Sequence, residues 1–503
     1  MDRVVVLDFG GQYSHLISRR IRDLGVYSEV LLPSTKRELM DPEIKGLILS
    51  GGAASVYDVK SPKCDREILN LGIPVLGICY GHQLIAYLKG GDVTQGETGE
   101  YGITDLTVNE GRLLSGLTRF KVWMNHNDTV KKLPNYTVTA STPGTPIAAF
   151  ENSEKKIYGV QFHPEVTHTE NGEKILENFV FGICETKQEW NTSNIIDRII
   201  TEIKDEIGEK KAVIGLSGGV DSSTAAVLMS RAIGKLTAIY VDTGLMREGE
   251  TKLIEGMFSE YENINLKIVK AESRFFKALK GVADPEEKRK IIGKLFIDVF
   301  EEIAQEEGAK VLIQGTIYSD RIESGITEHS SVIKSHHNVG GLPEDINLEI
   351  CEPLKDLYKD EVRKIAKNLG LPDEIINRHV FPGPGLAVRV VGEVTPERVK
   401  IVRKASHIIE DELSKAGLYN KVWMAFAVLL PIKSVGVQGD ARSYKYPVVV
   451  RILESKDAMT ANFAKVSYEV LEKISTRITN EINEVNRVVY DISNKPPATM
   501  EWE

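Results

Sequence analysis

Cysteine is scarce. The 503 residues hold four, Cys64, Cys79, Cys184 and Cys351. None forms a C-x-x-C pair, which argues against a zinc site or a disulfide framework. The chain starts Met1-Asp-Arg-Val-Val-Val-Leu-Asp, which reads as a strand and not as a charged segment followed by an apolar leader. No apolar run approaches the roughly 20 residues that span a bilayer. These absences point to a cytoplasmic protein with no membrane partner. A basic excess is missing as well. The net charge of −9 and a pI near 5.8 speak against nucleic acid as a partner. Small anionic substrates stay open, because local basic residues decide that. Internal repeats and low-complexity segments are absent, and so is the Gly-Lys-Ser/Thr of a Walker A loop. What is present is an ordinary globular composition in a chain long enough for about three domains.

The most informative stretch is Ser217-Gly218-Gly219-Val220-Asp221-Ser222-Ser223. An apolar run, Ala212–Leu216, precedes it and reads as a buried strand. Thr224–Ile233 reads as a helix, and a second strand, Thr237–Val241, ends at Asp242. The glycines therefore sit at a strand-to-helix turn of a βαβ unit, where backbone N–H groups and a helix N-terminus form an anion seat. Gly218 and Gly219 let the backbone approach a phosphate. Ser217, Ser222 and Ser223 add hydroxyl donors. Asp221 would repel a bare phosphate, so a cation between them, Mg2+ carried with a nucleotide, is expected.

The first third alternates strands and helices, which means a parallel α/β sheet with function at the carboxyl ends of its strands. Gly77-Ile78-Cys79-Tyr80-Gly81 has the G-x-nucleophile-x-G form of a nucleophile elbow. A single Cys ending a strand is most often just buried, but the flanking glycines and the helix start favour a reactive thiolate. His163-Pro164-Glu165 supplies a partner base. Pro164 pushes His163 toward an extended conformation, in which side chains two apart share a face, so Glu165 can orient the imidazole.

Further along, Asp320 and Glu323 are spaced to face one way on a helical turn. They could hold a second magnesium, steer an acceptor, or be a solvated surface pair. Lys334, His336 and His337, within Ile333–Pro343, are poorly spaced for a metal and read as a loop closing over phosphates. Lys288-Arg289-Lys290 opens an amphipathic helix and by charge reads as a solvated face. Phe381–Leu386 is a stiff proline-glycine joint. After it come a helix from Pro396 to about Leu413, strands at Lys421–Leu430, Tyr446–Leu453 and Arg487–Ser493, and a helix from about Met459 to Ile482. The apolar strand Val422–Leu430 suits burial against a second copy, so a homodimer through this region is expected. Tails like Asp491–Glu503 are usually disordered; two prolines, Lys495 and Trp502 lean this one toward a substrate contact.

The Cys79, His163 and Glu165 motifs resemble a class I glutamine amidotransferase over residues 1–188. That likeness implies Cys79 as nucleophile on the glutamine amide, His163 as acid/base and Glu165 as its orienter, with Gly52 and Tyr80 giving oxyanion-hole N–H groups. The Ser217–Ser223 string resembles the phosphate loop of the ATP pyrophosphatase family, whose members release pyrophosphate. With IKSHHNVGGLP, FPGPGLAVR, GVQGD and KPPATMEWE following in order, the whole chain is similar to the glutamine-hydrolysing GMP synthase family. The resemblance implies glutamine, ATP and XMP as substrates and an adenylyl-XMP intermediate. It implies ATP contacts at Ser217, Gly218, Gly219, Val220, Asp221, Ser222, Ser223 and Asp242, with Mg2+ at Asp221. XMP contacts would be Arg289, Gln438, Lys495 and Glu501, and Asp320, Glu323, Lys334, His336 and His337 would serve activation or lid closure. Met500 stands where isoleucine or threonine is frequent. The expected fold class is α/β: two parallel-sheet domains, amidotransferase (1–188) and adenine-nucleotide α-hydrolase-like (189–380), plus a small α+β C-terminal domain (381–503). An NAD synthetase-like fusion is the alternative with a different acceptor. A tRNA-thiolating enzyme would need a basic RNA surface, and a non-catalytic nucleotide-binding regulator would not need the Cys79, His163 and Glu165 set.

Overall fold

The computed structural model describes residues 1–35, 39, 41–325, 348–455 and 460–503. They divide into two compact units, Met1–Ile195 and Ile196–Glu503.

In the first unit the order is β1 (Arg3–Leu7), α1 (Ser14–Asp23), β2 (Tyr27–Leu31), β3 (Ile44–Leu49), β4 (Val75–Ile78), α2 (Tyr80–Leu88), β5 (Asp92–Val108), β6 (Arg119–Lys132), β7 (Thr137–Ser141), β8 (Ala149–Asn152), β9 (Ile157–Val160) and α3 (Gly172–Glu177). Among the described residues these strands form one sheet ordered β2-β1-β3-β4-β9-β8-β7-β5-β6. The β1, β2, β3, β4 and β9 neighbours pair parallel, as the strand–helix alternation predicts, and β9-β8-β7-β5-β6 pair antiparallel. The parallel strands are continuous apolar runs because both faces are covered. Val4, Val6, Ile48, Leu76 and Ile78 pack on one side, and Val5, Leu7, Leu47, Leu49 and Val75 on the other.

The second unit follows from α4 (Thr192–Ile207), which straddles the division. Its elements are β10 (Ala212–Gly215), α5 (Val220–Ala232), β11 (Leu236–Asp242), α6 (Glu250–Phe258), β12 (Ile264–Lys270), α7 (Glu272–Leu279), α8 (Pro285–Glu306), β13 (Val311–Ile313), α9 (Tyr318–Gly325), β14 (Glu349–Cys351), α10 (Lys359–Leu369), α11 (Asp373–Ile376), α12 (Pro396–Lys415), β15 (Met424–Leu429), β16 (Ser434–Gln438), β17 (Ala441–Glu454), β18 (Asn462–Phe463), α13 (Tyr468–Glu481) and β19 (Val485–Tyr490). A parallel sheet runs β12-β11-β10-β13-β14, and a second sheet is built around β17, which pairs with β15, β16, β18 and β19. The two sheets share one apolar core: Val213, Ile239 and Leu312 of the first sheet join Ala425, Val448 and Val450 of the second, with α12 between them in sequence and contributing Val402, Ile409 and Leu413. The α/β class with an added α+β region is as expected.

Three sequence expectations change. The helix expected from Thr224 begins at Val220, with Gly219 as its N-cap, so Asp221, Ser222 and Ser223 stand in the first helical turn. The helix expected from Met459 begins at Tyr468, with Ser467 as its N-cap, after the short strand β18. The apolar strand β15 is covered by its own chain. All six of its residues are buried, Ala425, Ala427 and Leu429 in the shared core and Met424, Phe426 and Val428 against Val449, Leu453 and Ala461. Its two apolar faces reflect internal layering, and no second copy is needed to bury them.

Candidate active sites

In the first unit, β4 runs directly into Cys79, which takes φ +54°, ψ −105° as the N-cap of α2. A non-glycine residue rarely holds this backbone, and its appearance at a strand-to-helix turn is the strain that lifts a nucleophile out of a sheet. The turn needs small neighbours: a Cβ on Gly81 would strike the Leu49 carbonyl. The Cys79 N–H donates to Val160 C=O at 2.9 Å, and the Gly81 N–H to Ser50 C=O at 3.0 Å. Strand register does the rest. Ile78 pairs with Val160, so the chain leaving β4 and the chain leaving β9 emerge side by side, and Cys79 meets His163. Gly51, leaving β3, closes the group. A Cβ there would lie 3.2 Å from His163 Cε1 and 3.7 Å from Cys79 Cβ.

His163 and Glu165 are buried, at 4% and 1% exposure. His163 Nδ1 and Glu165 Oε1 are 2.7 Å apart, as the extended His-Pro-Glu spacing predicts. Burial alone would push the imidazole down; the Glu165 carboxylate and the Cys79 thiol outweigh it and carry His163 up to about 10. The ring is fixed from several sides. The Thr169 hydroxyl donates to His163 C=O at 2.6 Å and accepts the Trp123 N–H at 3.0 Å. The His163 N–H donates to Trp123 C=O at 3.1 Å. Tyr13 lies edge-on to the imidazole at 5.1 Å, and Arg20 Nε donates to Glu165 C=O at 3.0 Å. Tyr80 is the first residue of α2, so its N–H has no intrahelical acceptor. That leaves it available, next to Cys79, for a developing oxyanion.

In the second unit, β10 leads into the Ser217–Ser223 turn. Gly218 has φ +73°, and a Cβ there would collide with Glu250 Oε1, so this position requires glycine. Ser217 N–H donates to Ser222 Oγ at 3.2 Å, and Gly219 N–H to Ser217 Oγ at 3.3 Å. Val220, Ser222 and Ser223 are buried, and among the described residues the Ser223 hydroxyl has no hydrogen-bond partner. Asp221 Oδ2 is paired with Lys359 at the start of α10, while Asp221 Oδ1 is buried with no hydrogen-bond partner among the described residues. Asp242, ending β11, accepts from Gly244 N–H at 3.1 Å and from Thr251 Oγ1 at 2.9 Å; it shapes the loop entering α6. Gly315, after β13, approaches closely enough that a Cβ would lie 3.2 Å from the Ser222 nitrogen. The turn is thus a concave cradle at the carboxyl end of a parallel sheet.

Asp320 stands on α9 and accepts from Ile317 N–H at 3.0 Å. Glu323 lies on the same helix. Lys334, His336 and His337 fall outside the described residues.

The remaining candidates gather about the C-terminal strap. Arg289, on α8, donates to Glu286 at 2.7 Å and to the Glu503 carbonyl. Lys288, expected on a solvated face, is fully buried: its ammonium is paired with Glu503 and donates to Val390 C=O at 2.8 Å. A buried carboxylate and carbonyls on the far side of α8 override the charge pattern. Glu501 is gripped by Arg389 at 3.0 and 2.8 Å, whose guanidinium lies over Phe381 and Phe426. Lys495 exchanges backbone hydrogen bonds with Ala461 at 2.7 and 3.0 Å, and Gln438, on β16, donates to Val485 C=O at 3.4 Å. The strap is therefore ordered and docked. Thr169, Lys359, Glu250 and Arg378 carry no local motif, and only their tertiary contacts bring them to these sites.

Comparison with known proteins matches residues 5–183 to the class-I glutamine amidotransferase family, residues 192–281 to the NAD synthase family and residues 411–502 to the GMP synthase C-terminal domain. Full-length relatives are named GMP synthase [glutamine-hydrolyzing]. That of Caldanaerobacter subterraneus subsp. tengcongensis is 52% identical, covering 100% of this chain and 99% of the relative. That of Petrotoga mobilis is 52% identical with 100% of both covered, and that of Carboxydothermus hydrogenoformans is 53% identical over 100% and 99%.

Proposed function

The chain belongs to the glutamine-hydrolysing GMP synthase family, and on that premise we propose how its residues divide the work. The reaction is the ATP-dependent amination of XMP to GMP, with glutamine as nitrogen source. Cys79 attacks the glutamine side-chain amide. The Tyr80 and Gly52 N–H groups hold the oxyanion, and His163 hands its proton to the departing ammonia. The same imidazole then takes a proton from the water that releases glutamate. Glu165 supports the imidazolium throughout, at 2.7 Å.

In the second unit the Ser217–Ser223 cradle holds the β- and γ-phosphates of ATP while the XMP O2 attacks the α-phosphorus. Pyrophosphate leaves into the cradle, and ammonia then displaces AMP at C2. Mg2+ fits here: Asp221 offers one open buried oxygen, and this ion is usually held by one or two carboxylates plus substrate phosphates. Bound there, it would neutralise triphosphate charge. Asp242 shapes the adjoining loop. Asp320, Glu323, Lys334, His336 and His337 serve activation and closure, and Arg289, Gln438, Lys495 and Glu501 hold XMP. Boundaries near residues 188 and 380 separate the three tasks. Among the described residues no helix is long and apolar enough to cross a membrane; the cytoplasm as site of action is part of the proposal. A homodimer through the C-terminal sheet is supported by Val435, Val437 and Tyr444, which are 56%, 73% and 66% exposed, with Val435 directly across from Tyr444.

The observation that carries this reading is the convergence of Cys79, His163 and Glu165 beyond the carboxyl ends of the adjacent strands β4 and β9, in a chain that also holds a phosphate cradle. The test is GMP formation from XMP and ATP with glutamine or an ammonium salt. Cys79→Ala is expected to lose the glutamine-driven reaction and keep the ammonia-driven one; Asp221→Ala is expected to lose both. Normal glutamine use by Cys79→Ala would refute the elbow assignment.

A further inference from the structure

The phosphate cradle is braced from beneath by two residues far away in sequence. Arg378 Nη1 donates to Gly218 C=O at 3.0 Å and to Glu250 Oε1 at 2.9 Å. The Glu250 and Arg378 side chains are only 1% and 11% exposed. Glu250 Oε2 in turn accepts the Arg247 N–H at 3.0 Å, which ties the carboxylate to the loop just before α6. A trans peptide points its C=O and its N–H in opposite directions. A guanidinium that fixes the Gly218 carbonyl on one side therefore fixes the Gly219 N–H on the other.

We infer that Arg378 and Glu250 are positioning residues for the nucleotide step: Arg378 clamps the Gly218–Gly219 peptide so that its N–H, which donates to Ser217 Oγ at 3.3 Å, is held on the side where the phosphates would sit, and Glu250 holds Arg378 in that role. This rests on the Ser217–Ser223 turn being the ATP seat. An arginine beside such a seat would ordinarily be read as a phosphate ligand itself. Here a buried carboxylate occupies it, and the nitrogen that bonds Glu250 is the one that bonds the loop carbonyl. The collision awaiting any Cβ on Gly218 is with the same Glu250 oxygen, so loop, carboxylate and guanidinium form one close-packed unit.

The two roles predict opposite signs for Glu250→Gln, a change that keeps shape and removes charge. If Arg378 were a phosphate ligand, freeing it from Glu250 would tighten ATP binding and lower the KM for ATP. As a positioning pair, Glu250→Gln should raise that KM, and Arg378→Met should raise it about tenfold or more, the scale of a lost charge-assisted hydrogen bond. Arg378→Lys, which still donates to a carbonyl, should recover part of the loss. The KM for XMP should stay near wild type in all three, which a general loosening of the fold would not allow. Ammonia-driven kinetics on the full chain, with thermal unfolding as control, read all of this. A lower ATP KM in Glu250→Gln, or a wild-type ATP KM in Arg378→Met, overturns the assignment. Should Arg378→Met fail to fold, Glu250→Gln and Arg378→Lys decide by the same signs. Full activity of Asp221→Ala would instead remove the seat itself, a failure distinct from that of the brace.

Discussion

At the scale of single residues, the chemistry depends on a histidine kept charged inside protein. Burial of His163 opposes its charge, and the Glu165 carboxylate and the Cys79 thiol reverse the balance, raising it to about 10. Replacing Glu165 with Gln removes the main support and leaves burial to dominate. Glutamine-driven turnover should fall about 100-fold or more, the scale of general acid–base catalysis, while the ammonia-driven rate holds. The sign of the stability effect follows from linkage. A raised histidine contributes stability that is complete below its ordinary value near 6.5 and is lost as pH rises toward about 10. The melting-temperature gap between wild type and Glu165→Gln should therefore be widest below about pH 6.5 and narrow toward pH 10; a gap that grows with alkalinity would contradict this electrostatic account.

At the scale of elements, α8 and the C-terminal strap are joined by a buried ion pair. Lys288 is fully buried, and Glu503 is 9% exposed at its side chain. Glu503 also accepts the Gly392 N–H at 3.1 Å. Such a pair contributes little over a well-packed apolar replacement, but breaking it strands a buried charge, at about 3–5 kcal/mol. Lys288→Met should thus lower the unfolding free energy by roughly that amount in urea titrations. Adding Glu503→Leu should restore part of it, and an unrestored double variant would show that the Lys288 bonds to Val390 and Ala387 carbonyls dominate. The strap that this pair anchors also presents Glu501 to Arg389, so the KM for XMP should rise in the single variant as well.

At the scale of the whole molecule, the β16–β17 hairpin presents an exposed apolar surface on the C-terminal sheet. Val435 and Tyr444 face each other across the pair, with Val437 two residues along the same face. If this face joins two copies, wild type should elute as a dimer in size-exclusion with light scattering at micromolar concentration, and Val437→Asp with Tyr444→Glu should elute as a monomer. A wild-type monomer would remove the dimer. The strand that suggested dimerisation from sequence, β15, does not carry it, because α12 covers one of its faces and Val449, Leu453 and Ala461 cover the other.

Local sequence alone determined the strand–turn–helix placement of Cys79 and of Ser217–Ser223, the His163–Glu165 spacing, the parallel half of the first unit's sheet and the parallel sheet of the second unit. Each is a short-range consequence of glycine, proline and apolar periodicity, which act over a few residues. Tertiary structure decided the rest. Register between β4 and β9 brought His163 to Cys79, and the helix after Gly219 began one turn early, with Asp221, Ser222 and Ser223 in its first turn. Lys288 went inside because Glu503, over two hundred residues away, met it there. Arg378, Glu250, Thr169 and Lys359 bear no motif, since their contribution is a contact between distant segments, and one-dimensional patterning holds no record of which distant carbonyl or carboxylate a side chain will reach.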